Sequence, residues 1–188
     1  MGRGWMRYEL AVRKGAVLDQ EVDALLIPTT RDLVVGGSFG TALLRAAGPE
    51  LQAACRRIAP IGLGDAAVTT AGDLKALIVI HAACISLGQT TKSLIERAYT
   101  CGFELAERGG IQTVATPALN IPAAGMSLDE TTRMLVKLVK GCLDGGTVVQ
   151  RLVFTVASVE VFRAYSAACR GGSPEEVPPP DDVQTFRI

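Results

Sequence analysis

Side chains suited to chemistry are few and far apart in this chain of 188 residues. Its single histidine, His81, lies inside the apolar run IVIHAA, and its five cysteines, Cys55, Cys84, Cys101, Cys142 and Cys169, include no C-x-x-C pair. One imidazole and scattered thiols do not build a zinc site, so no metal centre is expected. Cys84 follows His81 by three residues, an odd offset that puts the two on opposite faces of a continuing strand and argues against an activated thiolate. Glycine is what the sequence concentrates. Val35-Gly36-Gly37-Ser38-Phe39-Gly40 runs into the apolar segment TALLRAAG, and a glycine turn at a helix start can aim several backbone N–H groups at one point, where the helix dipole also favours an anion. The alternative is a tight loop that needs glycine only to turn. A second stretch, Asn120-Ile121-Pro122-Ala123-Ala124-Gly125, also joins a strand-like to a helix-like segment, with one donor removed by Pro122. Asp32, just ahead of the first glycine run, is either a solvated loop carboxylate or a weak catalytic candidate.

Elements on either side must position these loops. RYELAVRKG alternates apolar and polar residues, as a half-exposed strand does, whereas VDALLIP is a continuous apolar run suited to a buried one. The segment GTALLRAAGPELQAACRRIA has helical spacing interrupted at Gly48-Pro49, predicting two short helices with Pro49 opening the second. DAAVTTAGDL and ALIVIHAA read as strands, the latter apolar enough to be central. TKSLIERAYTCGFELAERGG places Leu94, Ile95, Ala98, Cys101, Leu105 and Ala106 on one helical face and ends in Gly109-Gly110, a left-handed cap. TVATPAL is the next strand. Ser127 and Glu130 have capping-box spacing at the head of SLDETTRMLVKLVKGCLDGG, and Ser158 caps a last helix, VEVFRAYSAACR, after the strand RLVFTVAS. Strands alternating with helices imply parallel pairing, with helices covering both faces of the sheet.

Composition narrows the function. Nineteen basic and nineteen acidic side chains balance, so the electrostatic footprint of a general nucleic-acid binder is missing. No apolar run reaches the ~20 residues that span a bilayer, and unpaired cysteines fit a reducing compartment; a soluble cytoplasmic protein is expected. Residues 1–170 read as one domain, and 171–188, GGSPEEVPPPDDVQTFRI, as a flexible Pro-rich and acidic tail. Arg45, Arg56 and Arg57 read as a solvated helix face, as do Lys92, Glu96 and Arg97.

In order and spacing, VDALLIPTT, VVGGSFGTALLRAAGPEL, GLGDAAVTTAGDL, IVIHAA, AYTCGFELAERGGIQTVATPAL and VFTVASVEVFRAY resemble a macro domain over about residues 7 to 169. The resemblance implies a three-layer α/β/α sandwich around a mixed, mainly parallel six-stranded sheet. It implies ADP-ribose, or a related nucleotide, as ligand, with the diphosphate held by the two loops. The ligand-binding positions it marks are Thr30, Gly36, Gly37, Ser38, Phe39, Gly40, Asn120, Ile121, Ala124 and Gly125; no cofactor or metal is implied. Departures from the family pattern bear on function. Ala16 stands where an adenine-binding Asp is usual, Thr30 where an Asn reaches the distal ribose, and Gly40 where hydrolytic members carry an Asp that positions water. Only the final glycine of the second loop is kept, and Ala157 and Ser158 stand where an aromatic ring often stacks on adenine. The resulting expectation is a divergent module that binds ADP-ribose or a related nucleotide diphosphate, or an ADP-ribosylated protein, without the usual hydrolase activity. Two alternatives stay open: a hydrolase of ADP-ribosyl groups or ADP-ribose 1″-phosphate using Asp32 or Thr30, and a homo-oligomeric structural protein with a vestigial pocket.

Overall fold

A strand covered on both faces has no solvent side on which polar residues are tolerated, and all six residues of β2 (Ala24–Thr29) are buried. β2 lies near the middle of the sheet in the computed structural model, which describes residues 8–86, 89–119, 125–144, 146–174 and 183–187. In chain order the other elements are β1 (Glu9–Lys14), α1 (Gly37–Ile58), β3 (Ala66–Thr70), β4 (Ile78–Ala83), α2 (Lys92–Arg108), β5 (Thr113–Pro117), α3 (Leu128–Asp144), β6 (Arg151–Val156), α4 (Val159–Arg170) and β7 (Val183–Arg187). Among the described residues, seven strands form one sheet in the order β3-β4-β2-β5-β6-β1-β7. The inner five run parallel, and the edge strands β3 and β7 pair antiparallel with β4 and β1.

Alternation along each strand divides the core in two. Leu25, Ile27, Val79, Ala115 and Val153 join Leu43, Leu51 and Cys55 of α1 on one face. Leu26, Ile80, Val114, Leu152 and Phe154 pack against residues of α2, α3 and α4 on the other. This is the expected three-layer sandwich, with one correction: the sheet has seven strands, not six. The seventh comes from the segment expected to be a flexible tail. Val183–Arg187 pairs with β1, Phe186 packs against the larger core cluster, and the Arg170 guanidinium lies 5.6 Å from its ring centroid. That short stretch contains Val183, Thr185 and Phe186, residue types common in strands, and these suffice at the sheet edge, whereas composition averaged over the whole tail hid them.

Local signals in the sequence recur in the structure. α1 bends at Gly48, whose φ of 73° interrupts the helix immediately before Pro49, so the two expected helices meet across a kink. Ser127 and Glu130 form the capping box: the Ser127 N–H donates to Glu130 Oε2 at 2.8 Å, and the Glu130 N–H donates to Ser127 Oγ at 3.2 Å. Ser158 Oγ accepts from the Val161 N–H at 3.2 Å. The buried face of α2 is displaced from the expected one, comprising Ile95, Ala98, Tyr99, Gly102, Phe103 and Ala106. A Cβ at Gly102 would stand 2.7 Å from a methyl of Leu26. The helix thus meets the sheet along its glycine, leaving Cys101 and Leu105 at the margin. All five cysteines are free; Cys55, Cys84 and Cys169 are buried, and Cys101 and Cys142 half-buried. Among the described residues, no helix is long and apolar enough to cross a membrane and no cluster of potential metal ligands occurs.

Candidate functional site

Parallel strands deliver their following loops to one edge of a sheet. In the register found here, β2 ends at Thr29, β5 at Pro117, β6 at Val156 and β1 at Lys14, with Lys14 opposite Val156. The first glycine loop, the start of the second, the Ala157-Ser158 turn and Ala16 therefore gather at the carboxyl end, where ligands of open α/β sheets sit. Asn120, Ile121 and Ala124 fall outside the described residues; Gly125 resumes the chain, exposed.

The first loop is held by its own backbone. Thr30 Oγ1 accepts from the Val34 N–H at 3.3 Å and lies 3.2 Å from the Val34 carbonyl, to which it donates; the Thr30 N–H donates to the same carbonyl at 3.0 Å. With its one proton engaged, the Thr30 hydroxyl offers a ligand only a lone pair. Gly36, Gly37 and Ser38 are exposed and Phe39 is half-buried against the α1-side core. Gly37 has φ +68°, and no atom lies within 4 Å of a Cβ built at Gly36 or Gly37. No side chain caps this helix start. The first N–H groups of a helix lack intrahelical acceptors, so Gly37, Ser38 and Phe39 carry backbone donors that no side chain caps, beside the open side of Gly36 and Gly37.

Gly40 is another matter. A Cβ there would stand 1.7 Å from the Val35 carbonyl oxygen: the chain doubles back so closely that no side chain fits the loop as folded. The absence of a carboxylate at this position thus goes with a tighter loop than an Asp allows. Asp32 is exposed on the segment before the glycines. His81 is far from a catalytic setting: it is 1% exposed, faces α1, and its Nε2 lies 2.9 Å from Thr69 Oγ1 and 3.8 Å from Cys55 Sγ. Burial pulls its pKa down to about 4. Cys84 belongs to the core cluster on the opposite face, as the odd offset predicts, and burial pushes its thiol up to about 12.

Sequence reasoning missed one positioning residue. Tyr165 of α4 is fully buried, packs with its ring centroid 5.0 Å from that of Phe154 at a tilt of 49°, and clasps Leu119 through its hydroxyl, which accepts from the Leu119 N–H at 2.8 Å and donates to the Leu119 carbonyl at 3.3 Å. It fixes the backbone immediately before Asn120. Nothing in the segment VEVFRAYSAACR signals this role, and only the fold brings the Tyr165 hydroxyl to the loop.

Comparison with known proteins agrees with this arrangement. A family model for the macro domain matches residues 28–135. An uncharacterized protein of Mycobacterium tuberculosis is 38% identical over 87% of this chain and 45% of its own length, so the chain spans about half of that relative. An O-acetyl-ADP-ribose deacetylase of Escherichia fergusonii is 27% identical, with 86% of this chain and 95% of the relative aligned. The Oceanobacillus iheyensis macrodomain, solved with ADP, superposes with a TM-score of 0.79 over 91% of this chain and 95% of that one, at 18% identity. With the glycine loop at the head of α1, the carboxyl edge of the parallel strands and the matched residues in agreement, the chain belongs to the macro domain family.

Proposed function

We propose that the chain binds ADP-ribose or a related nucleotide diphosphate, free or attached to a protein, and does not hydrolyse it by the family's usual route. The observation that carries this reading is the uncapped start of α1. Backbone donors of Gly37, Ser38 and Phe39 have no side-chain cap, and nothing stands over Gly36 or Gly37, a ready seat for a diphosphate. Each hydrogen bond to such a charged group contributes about 1.5–3 kcal/mol.

Selectivity for adenine and distal ribose is weaker. Ala16 has no acceptor side chain for an adenine amino group, Ala157 and Ser158 provide no ring, and Ser158 Oγ is engaged as a helix cap. A charge-assisted bond and a base stack together account for on the order of a hundredfold or more in affinity, so binding is correspondingly weaker than in a relative that has both. Catalysis lacks a group to activate water: Gly40 has no room for a side chain, and the Thr30 proton is held by Val34. The likeness to a deacetylase supports a hydrolytic alternative in which exposed Asp32 acts as base, tested directly by Asp32→Ala.

Titration calorimetry with ADP-ribose, ADP and inorganic pyrophosphate tests the binding reading. Gly36 has φ −80° and an open Cβ direction, so Gly36→Val folds normally yet covers the donors; heat seen with ADP-ribose and lost in this variant is the expected result. No heat at millimolar ligand overturns it. Release of acetate from O-acetyl-ADP-ribose, lost in Asp32→Ala, would install the hydrolytic alternative instead.

A further inference from the structure

A second cavity lies on the inner side of the glycine loop. It measures about 320 Å³ and is walled by both halves of α1 and the segment after β2, through Leu33, Leu43, Leu51, Cys55 and Pro60. His81 lines it, and its Nδ1 is buried without a hydrogen-bond partner although Nε2 faces Thr69 Oγ1. Buried polar atoms in folded proteins are nearly always paired, so an orphaned nitrogen on a residue that lines an apolar cavity marks a place for a ligand's polar group. The mouth carries Asp32 and Arg56, one charge of each sign, which selects no ion. The volume lies at the lower end of the range for small-molecule sites and about twice that of an apolar cavity able to hold benzene. Exposed Gly36, Gly37 and Ser38 are absent from its lining, which separates it from the diphosphate seat proposed above.

We propose that this cavity is a binding site for a small, uncharged, mainly apolar molecule that presents a single hydroxyl to His81 Nδ1. A hydroxyl suits either imidazole tautomer, because it donates to a bare nitrogen and accepts from a protonated one. A carboxylate or ammonium group is disfavoured, since the interior has no fixed charge to offset its desolvation.

His81 is the only histidine, so the full chain gives one imidazole Cε1–H signal in a carbon–proton correlation spectrum, and that signal reports this cavity alone. Titration with p-cresol in the absence of nucleotide is expected to move it saturably, with half-saturation at or below about 1 mM. p-Xylene, the same shape without the hydroxyl, is expected to bind about five- to tenfold more weakly. Leu44→Trp and Val34→Trp alter lining residues that are 42% and 54% exposed, so they close the mouth without overpacking the core. With the melting temperature kept, each is expected to abolish the response. No shift with p-cresol up to about 5 mM, or an undiminished shift in both tryptophan variants, overturns the site; equal affinity for p-xylene overturns the role of His81.

Discussion

Lowering the pH should test the setting of His81 directly, because the wild-type chain and a His81→Gln variant differ by one titrating group. Burial pulls the imidazole from 6.5 to about 4 in the folded protein. The unfolded chain therefore binds a proton that the folded chain refuses between those values, and stability falls as pH drops through that window. Above 6.5 the effect vanishes, and below about 4 both states are protonated and nothing further is lost. At about 1.4 kcal/mol per unit, going from about pH 7.5 to about pH 4.5 should remove about 2.5 kcal/mol. No discount for solvent applies to a side chain 1% exposed. Glu107 and Glu130, both held below the ordinary carboxylate range by hydrogen bonds to Thr147 and Ser127 respectively, also lose stabilisation on acidification. They do so in both proteins, so the difference isolates His81. Urea unfolding at the two pH values is the assay, with the imidazole pKa read by NMR on the same sample. Parallel pH dependence in the two proteins, or a folded-state pKa near 6.5, would refute the argument that the imidazole is buried neutral.

Three further outcomes follow from other contacts. Gly40→Asp should lower the melting temperature and create no hydrolase, since a Cβ 1.7 Å from the Val35 carbonyl forces the loop apart; Gly36→Ala, at φ −80° with open space ahead, should leave the melting temperature nearly unchanged. Ser127→Ala removes the acceptor of the Glu130 N–H and should cost about 0.5–2 kcal/mol in urea unfolding. Asp23→Ala frees the Gln112 and Thr113 N–H groups, now 3.0 and 2.8 Å from Asp23 Oδ2, and should cost about 2 kcal/mol by the same assay, with faster hydrogen exchange at the start of β5.

Signals confined to a few neighbouring residues were legible in the sequence. The Ser127–Glu130 box, the Ser158 cap and the Gly48-Pro49 break each depend on chemistry within one turn, and each recurs in the structure. Less legible was whatever depends on a distant partner. The buried face of α2 turned on Gly102 meeting Leu26, a contact between residues 76 positions apart in the chain. β7 was hidden because pairing with β1 is supplied by the other strand, not by the composition of 171–188. At the candidate site, the glycine run and its helix could be found by spacing alone. The Thr30–Val34 clasp and the grip of Tyr165 on Leu119 could not, since both fix backbone geometry that sequence spacing leaves free.

Gly40 joins these observations into one physical account of the loop. The residue after β2 is tied to Val34, the chain then reverses, and Gly40 nearly touches the Val35 carbonyl. Such closeness excludes a side chain on the reacting side, which removes the usual water-positioning carboxylate. It leaves the Gly36 and Gly37 side bare for an anion. On the other side, Val34, Val35 and Gly40 line the cavity into which His81 is set. A ligand on either side therefore bears on the same short segment, and if p-cresol reshapes that segment, linkage requires its affinity and that of ADP-ribose to change each other by the same factor. Calorimetric titration of ADP-ribose with and without saturating p-cresol reads that factor. A ratio of one means the loop is rigid enough to separate its two faces, whereas a ratio of about five or more makes the loop itself the coupling element.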